Sequence, residues 1–203
     1  MFYNDGDIYI YDAYVYSYSE EENGWKVQLC TELVKNIMTE QFKVPYSGKV
    51  VTINEESYPS ILESINGIPI TNMNATFECC SSMEFAPDIP KGVTSMRNTF
   101  VTCASLISAP QIPDGVTDMS DTFFGCDSLV TAPEIPMNVK YMGGTFSECT
   151  SLSGEIIINV KELINYESCF ESVDMSKITL KGEASNEILN LLGNTGENYT
   201  NID

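Results

Sequence analysis

Four cysteines, at positions 80, 103, 126 and 149, stand 23 residues apart, and the residues around them repeat with them. From position 71 the units read TNMNATFECCSSMEFAPDIPKGV, TSMRNTFVTCASLISAPQIPDGV, TDMSDTFFGCDSLVTAPEIPMNV and a divergent fourth, KYMGGTFSECTSLSGEIIINV. A short period with an apolar skeleton marks a solenoid, because one unit cannot bury its own hydrophobic face while a stack of them builds a continuous core. The period also favours a repeated surface over a catalytic pocket as the working part.

Each unit follows M-x-x-T-F-x-x-C-x-S-L-x-x-A-P-x-I-P-x-G-V-T. Internal columns are expected from Met73, Met96, Met119 and Met142; from Phe77, Phe100, Phe123 and Phe146; from Met83, Leu106, Leu129 and Leu152; and from Ile89, Ile112 and Ile135. Proline lacks the N–H a ladder needs, so A-P-x-I-P should be extended but poorly paired, leaving the V-T-x-M corner to carry a parallel strand. Gly92 and Gly115 fit a turn before that corner, and Asn138 in the same place predicts a left-handed residue. The fourth unit loses both prolines, so Gly154–Ile158 should pair better, and Phe170 continues the aromatic column after a 24-residue step.

The flanks differ. Ile8–Tyr11, Tyr14–Tyr18 and Trp25–Leu29 alternate with period two, and six of the eleven tyrosines precede residue 19. Packing of that stripe as a cap is preferred over stacking on sugar rings. Residues 30–42 have helical spacing, 49–53 read as a short strand, and 60–65 as one helical turn closed by Asn66-Gly67. Ser185 can cap a short helix through Ile188, Leu189 and Leu192. The expected units are 1–57, a β-hairpin plus helix cap; 58–182, the solenoid; and 183–203, a cap helix with a polar tail.

Histidine is absent from the 203 residues, which removes Ser-His-Asp and Cys-His nucleophiles together with histidine metal sites. No phosphate loop, dinucleotide fingerprint or calcium loop is present, so no catalytic residue, metal site or cofactor is predicted. A net charge of −19, from 29 acids and 10 bases, argues against nucleic acid and anionic membrane surfaces as partners. No stretch approaches the about 20 apolar residues a membrane span needs, and the first residues lack the pattern of a signal peptide. The cysteine column is expected to be four buried, free thiols, since side chains pointing the same way are poorly aimed for a disulfide.

The unit VTSMRNTFVTCASLISAPQIPDG resembles the 23-residue, BspA-like class of bacterial leucine-rich repeats, in its paired-proline variant, over about residues 71–182. The resemblance implies an α/β solenoid: a short right-handed leucine-rich-repeat array with parallel β-rungs, a hairpin and helix cap at the N-terminus and a short helix at the C-terminus. It also implies adhesion or protein binding at a cell surface or in secreted form, and brings no catalytic motif. The positions that vary between units supply the candidate binding strip: Glu84 and Phe85, Ile107, and Val130, followed along each unit by Asp88, Gln111 and Glu134. The partner expected is a protein or a surface glycan. A structural role in a larger assembly, such as a phage particle or surface layer, is the alternative, with self-association through the N-terminal hairpin.

Overall fold

The computed structural model describes residues 8–11, 14–29 and 61–193. The expected helix at 30–42, the strand at 49–53 and the polar tail beyond 193 lie outside the described residues. Two bodies of regular structure flank the repeats. A five-stranded sheet has the order β1 (Ile8–Tyr11), β2 (Tyr14–Ser19), β3 (Gly24–Leu29), β5 (Ile68–Asn72), β4 (Ser64–Ile65). At the other end β6 (Gly154–Ile157) pairs in parallel with β7 (Ile178–Lys181), ahead of α1 (Asn186–Gly193).

The period produces the stack in between. Asn72, Ser95, Asp118, Tyr141 and Asn165 form a ladder of single parallel bridges, one per rung, at the predicted V-T-x-M corner. A second ladder joins Phe85, Ser108 and Thr131, just ahead of the prolines. The expected columns are inward: the Met, Phe and Leu series from Met73 to Leu152 are 0–1 % exposed. Neighbouring Phe77, Phe100, Phe123, Phe146 and Phe170 rings stack with centroids 5.4–5.7 Å apart and planes within 5–11°. Such offset stacking adds to what burial alone contributes. Phe170 therefore keeps the column across its 24-residue step.

The helix expected after Ser185 is present as α1, with Ser185 Oγ accepting from Ile188 N–H at 3.3 Å, but the repeats themselves contain no α-helix among the described residues. Between the methionine and the cysteine each rung is a run of turns, and the α-helix among the described residues is confined to α1. Two positions per rung explain it. Ala75, Asn98, Asp121, Gly144 and Ser168 form one left-handed series, and Cys79, Thr102, Gly125, Glu148 and Ser172 the other, with φ from 53° to 66°. Each interrupts a right-handed run. In the second rung, for example, N–H groups at Met96, Asn98, Phe100 and Thr102 donate to Asp118, Ser120, Thr122 and Phe124 of the next rung, at 2.7–3.0 Å. The backbone thus spends its donors between rungs rather than along a helix.

Three local expectations are corrected. Residues 64–72 are a hairpin, not a helical turn: Asn66 and Gly67 sit at φ 50° and 82° between β4 and β5, the pair of positive φ values a type I′ turn demands. Asn138 is not left-handed, nor are Gly92 and Gly115. Glycine at 92 answers to crowding instead, since a Cβ there would lie 2.8 Å from Pro69 Cβ and 2.9 Å from the Ile70 carbonyl. Asn138 reaches back one rung, its Nδ2 donating to the Asp114 carbonyl at 2.8 Å. In the fourth rung loss of both prolines does give a better strand, β6, whose Glu155 pairs with Lys181 on β7.

The N-terminal meander docks on the first rung. β3 runs parallel to β5, Val27 O accepts from Thr76 Oγ1 at 2.6 Å, and Leu29 N–H donates to the Thr76 carbonyl at 3.3 Å. Tyr14 meets Phe77 edge-on at 6.2 Å, and Tyr16 Oη accepts from Leu62 N–H at 3.2 Å. Tyr14, Tyr16 and Tyr18 are buried, so this tyrosine face is spent on the chain's own core.

Candidate functional site

All seven sequence-predicted residues of the strip are exposed. Their placement follows from the backbone. Met83, Leu106 and Leu129 turn inward, and the next residue on each rung, Glu84, Ile107 or Val130, turns out. Hydrogen bonds pin this register: Ile107 N–H donates to Glu84 O at 3.1 Å, Val130 N–H to Ile107 O at 3.0 Å and Ser153 N–H to Val130 O at 3.1 Å. Phe85 occupies the adjacent column, bridged to Ser108 and through it to Thr131. Phe85 is 55 % exposed and Ile107 and Val130 are each 42 % exposed, so the monomer leaves all three apolar side chains uncovered.

Asp88, Gln111 and Glu134 form a second row farther along the same rungs. Each is exposed and immediately precedes a buried isoleucine, Ile89, Ile112 or Ile135. Two open clefts of about 520 and 510 Å³ run beside this row and share Gln111, Ile112 and Asp114. The first also carries Glu63, Asp88 and Lys91; the second carries Glu134, Asn159 and Glu183. Asn159 organises the second rim, since its Nδ2 donates to Glu134 Oε1 at 2.6 Å and its Oδ1 accepts from Glu183 N–H at 3.0 Å. The candidate residues therefore fall on two lines, Glu84, Ile107 and Val130 with Phe85 beside them and, farther along each rung, Asp88, Gln111 and Glu134.

Interior polar chemistry is structural. Thr99, Thr122 and Thr145 are fully buried, and each hydroxyl lies 2.6–3.0 Å from the methionine carbonyl of its own rung and that of the rung before. Sequence reasoning did not single out this column, although its strict recurrence beside an apolar phenylalanine was the available signal. The thiols of Cys103, Cys126 and Cys149 likewise donate to Phe77, Phe100 and Phe123 carbonyls one rung back, at 3.1–3.2 Å. Burial pushes these thiols up, Cys149 to about 12, so they remain protonated and unreactive. The described cysteines are free. The expectation of four buried thiols needs correction at one end: Cys80, in the first rung, is half-buried, while Cys169 is fully buried in the threonine column. Among the described residues no cluster of His, Cys, Asp or Glu could hold a metal ion, and no helix is long and apolar enough to cross a membrane.

No family model matches the chain, and no curated protein matches it. Two solved structures are similar in fold. One is a leucine-rich repeat protein of T. pallidum, with a TM-score of 0.56 and 16 % identity over 91 % of this chain and 95 % of that one. The other is a leucine-rich repeat protein from Bacteroides ovatus, with a TM-score of 0.55 and 20 % identity, covering 85 % of this chain and 40 % of that one. The repeat solenoid built by the 23-residue period is the fold of leucine-rich-repeat proteins.

Proposed function

We propose that this chain is a non-enzymatic interaction module, of the BspA-like, paired-proline class, that docks a partner on the face carrying Phe85, Ile107 and Val130. The observation that carries the reading is the position of these three side chains. They are apolar and exposed, while the methionine, phenylalanine, leucine and isoleucine columns of the same rungs are inside. Exposed apolar groups grouped on a rigid frame and rimmed by charge are the usual composition of a docking surface. The backbone ladder fixes the main chain that carries them, which lowers the entropic cost of association. We assign the N-terminal unit 1–57 and the C-terminal unit 183–203 to covering the ends of the solenoid 58–182.

A photo-crosslinking residue placed at Ile107 or Val130 tests this in the cell that makes the protein. Discrete adducts from these positions and none from Glu167 are expected. Adducts equally abundant from Glu167, or none from the strip, would end the reading, and adducts only between copies of this chain would favour the structural assembly.

A further inference from the structure

We propose that the partner reaches this face with a basic amphipathic helix, whose apolar ridge lies on the Phe85, Ile107 and Val130 patch and whose lysine or arginine side chains lie over the Asp88–Glu134 row. This rests on the docking reading above and adds the chemistry of the occupant. Charge comes first. The two clefts beside the Asp88–Glu134 row are lined by Glu63, Asp88, Asp114, Glu134 and Glu183, against Lys91 as the cation among their lining residues. An acidic partner covering this row would strip water from carboxylates and add repulsion. A neutral one would return only the weaker hydrogen bonds of uncharged donors, whereas guanidinium and ammonium groups supply bonds charged on both sides. The whole chain, at −19, attracts such a partner and repels a second copy of itself presenting the same row.

Spacing selects the helix. Rungs repeat every 5.4–5.7 Å at the phenylalanine column, and by about 4.8 Å where backbones bridge. A helix advances about 5.4 Å per turn, so apolar residues at i, i+4 and i+7 meet successive rungs, while an extended segment would place its same-face side chains about 6.7 Å apart. From Ile107 to Gln111, and from Val130 to Glu134, the rung runs four residues. In extended backbone that is about 13 Å, whereas a helix seated on the patch reaches about 5–6 Å to either side of its axis. Long lysine or arginine side chains on its flank span the rest toward the Asp88 and Glu134 carboxylates. Glu134 is already held by Asn159, so one carboxylate of the row is oriented before a partner arrives.

The test uses the full chain and synthetic peptides of about 18 residues, about five helical turns. One peptide has leucine and lysine in amphipathic order; a second has glutamate for lysine; a third has serine for leucine. Fluorescence anisotropy should show saturable binding of the first alone, weakening as salt rises. The pair Ile107→Ser/Val130→Ser should weaken it by about tenfold or more, as should Asp88→Asn/Asp114→Asn/Glu134→Gln, while Glu167→Gln/Glu171→Gln should change it less than about twofold. Equal binding of the lysine–serine peptide, or equal weakening by the Glu167/Glu171 pair, would reduce the effect to bulk charge and overturn the proposal. Binding of the glutamate–leucine peptide that responds to the Ile107/Val130 pair would overturn the basic partner yet leave the docking face standing. Absence of binding by all three would overturn the proposal, with the crosslinking result still deciding the docking face.

Discussion

Replacing Thr122 by valine removes one hydroxyl from the interior and leaves the side chain's shape nearly unchanged. The hydroxyl lies 2.8 Å from the Met96 carbonyl and 2.8 Å from the Met119 carbonyl. Having one proton, it donates to them in turn or shares it between them. Neither carbonyl is orphaned by the substitution, because Thr99 N–H reaches Met96 O at 3.1 Å and Thr122 N–H reaches Met119 O at 3.0 Å. The expected loss is therefore the net worth of one hydrogen bond, about 1 kcal/mol, rather than the larger penalty of a stranded buried acceptor. For a chain of this length that is a fall of roughly 2–4 °C in melting temperature. Thr122→Ser keeps the hydroxyl and loses a buried methyl, about 0.8 kcal/mol before any cavity cost. Thr122→Ala loses both and should fall by about 2 kcal/mol. Thermal and urea unfolding of the three variants measure these differences. A valine variant as stable as the parent, or more so, would show that the threonine ladder holds nothing together.

Cys126→Val should cost less than about 1 kcal/mol, since the fifth rung carries Val173 at the matching position, whereas Cys126→Ser buries a more polar group and should cost about 1–2 kcal/mol. Thiol labelling followed by mass spectrometry should modify Cys79 in the native protein and spare Cys103, Cys126, Cys149 and Cys169 until unfolding. The same burial makes stability fall at alkaline pH. Above about pH 8.5 the unfolded thiols lose protons that the folded ones keep, so each buried thiol contributes a loss of about 1.4 kcal/mol per pH unit until its own folded value is reached, about 12 for Cys149. Removing one thiol should flatten that slope. Thr102→Gly should stabilise by about 0.5–1 kcal/mol, because a β-branched residue is strained at φ 56°, and Gly125→Ala should do the reverse at φ 66° with a Cβ 3.3 Å from Thr102 Cγ2. Deleting residues 1–57 should expose the Met73 and Phe77 side of the stack and cause aggregation by light scattering; a soluble, monomeric, folded remainder would refute this.

What could be read from the residues was whatever recurs as a residue type. Methionine, phenylalanine and leucine repeat as letters, and burial by column follows from them. The two left-handed positions per rung recur as conformations while their letters change from alanine to asparagine, aspartate, glycine and serine, so no composition signal marked them. Missing them left the stretch between methionine and cysteine without an expected conformation. Asn66-Gly67 failed differently: the dipeptide is a strong hairpin signal, but the apolar spacing of Ile61, Leu62 and Ile65 imitates a helical turn over so short a window. Cys80 departs from its column because it belongs to the first rung, with a matching rung on one side alone. The exposure of the seven strip residues was legible because variation inside a fixed skeleton points outward. The clefts beside the Asp88–Glu134 row were not, since Glu63 and Glu183 come from outside the three regular units and join the row through the stack.

Each rung divides at one bond, with Leu129 inside and Val130 outside, on the face where we propose that a partner docks. Equilibrium urea unfolding of Leu129→Ser and Val130→Ser tests it on adjacent residues. Leu129 is fully buried, and its loss to serine should cost about 3–5 kcal/mol. Val130 is 42 % exposed, and its substitution should stay within about 0.5 kcal/mol of the parent. A Val130→Ser variant destabilised by more than about 2 kcal/mol would place that side chain in the protein's own core and contradict the account.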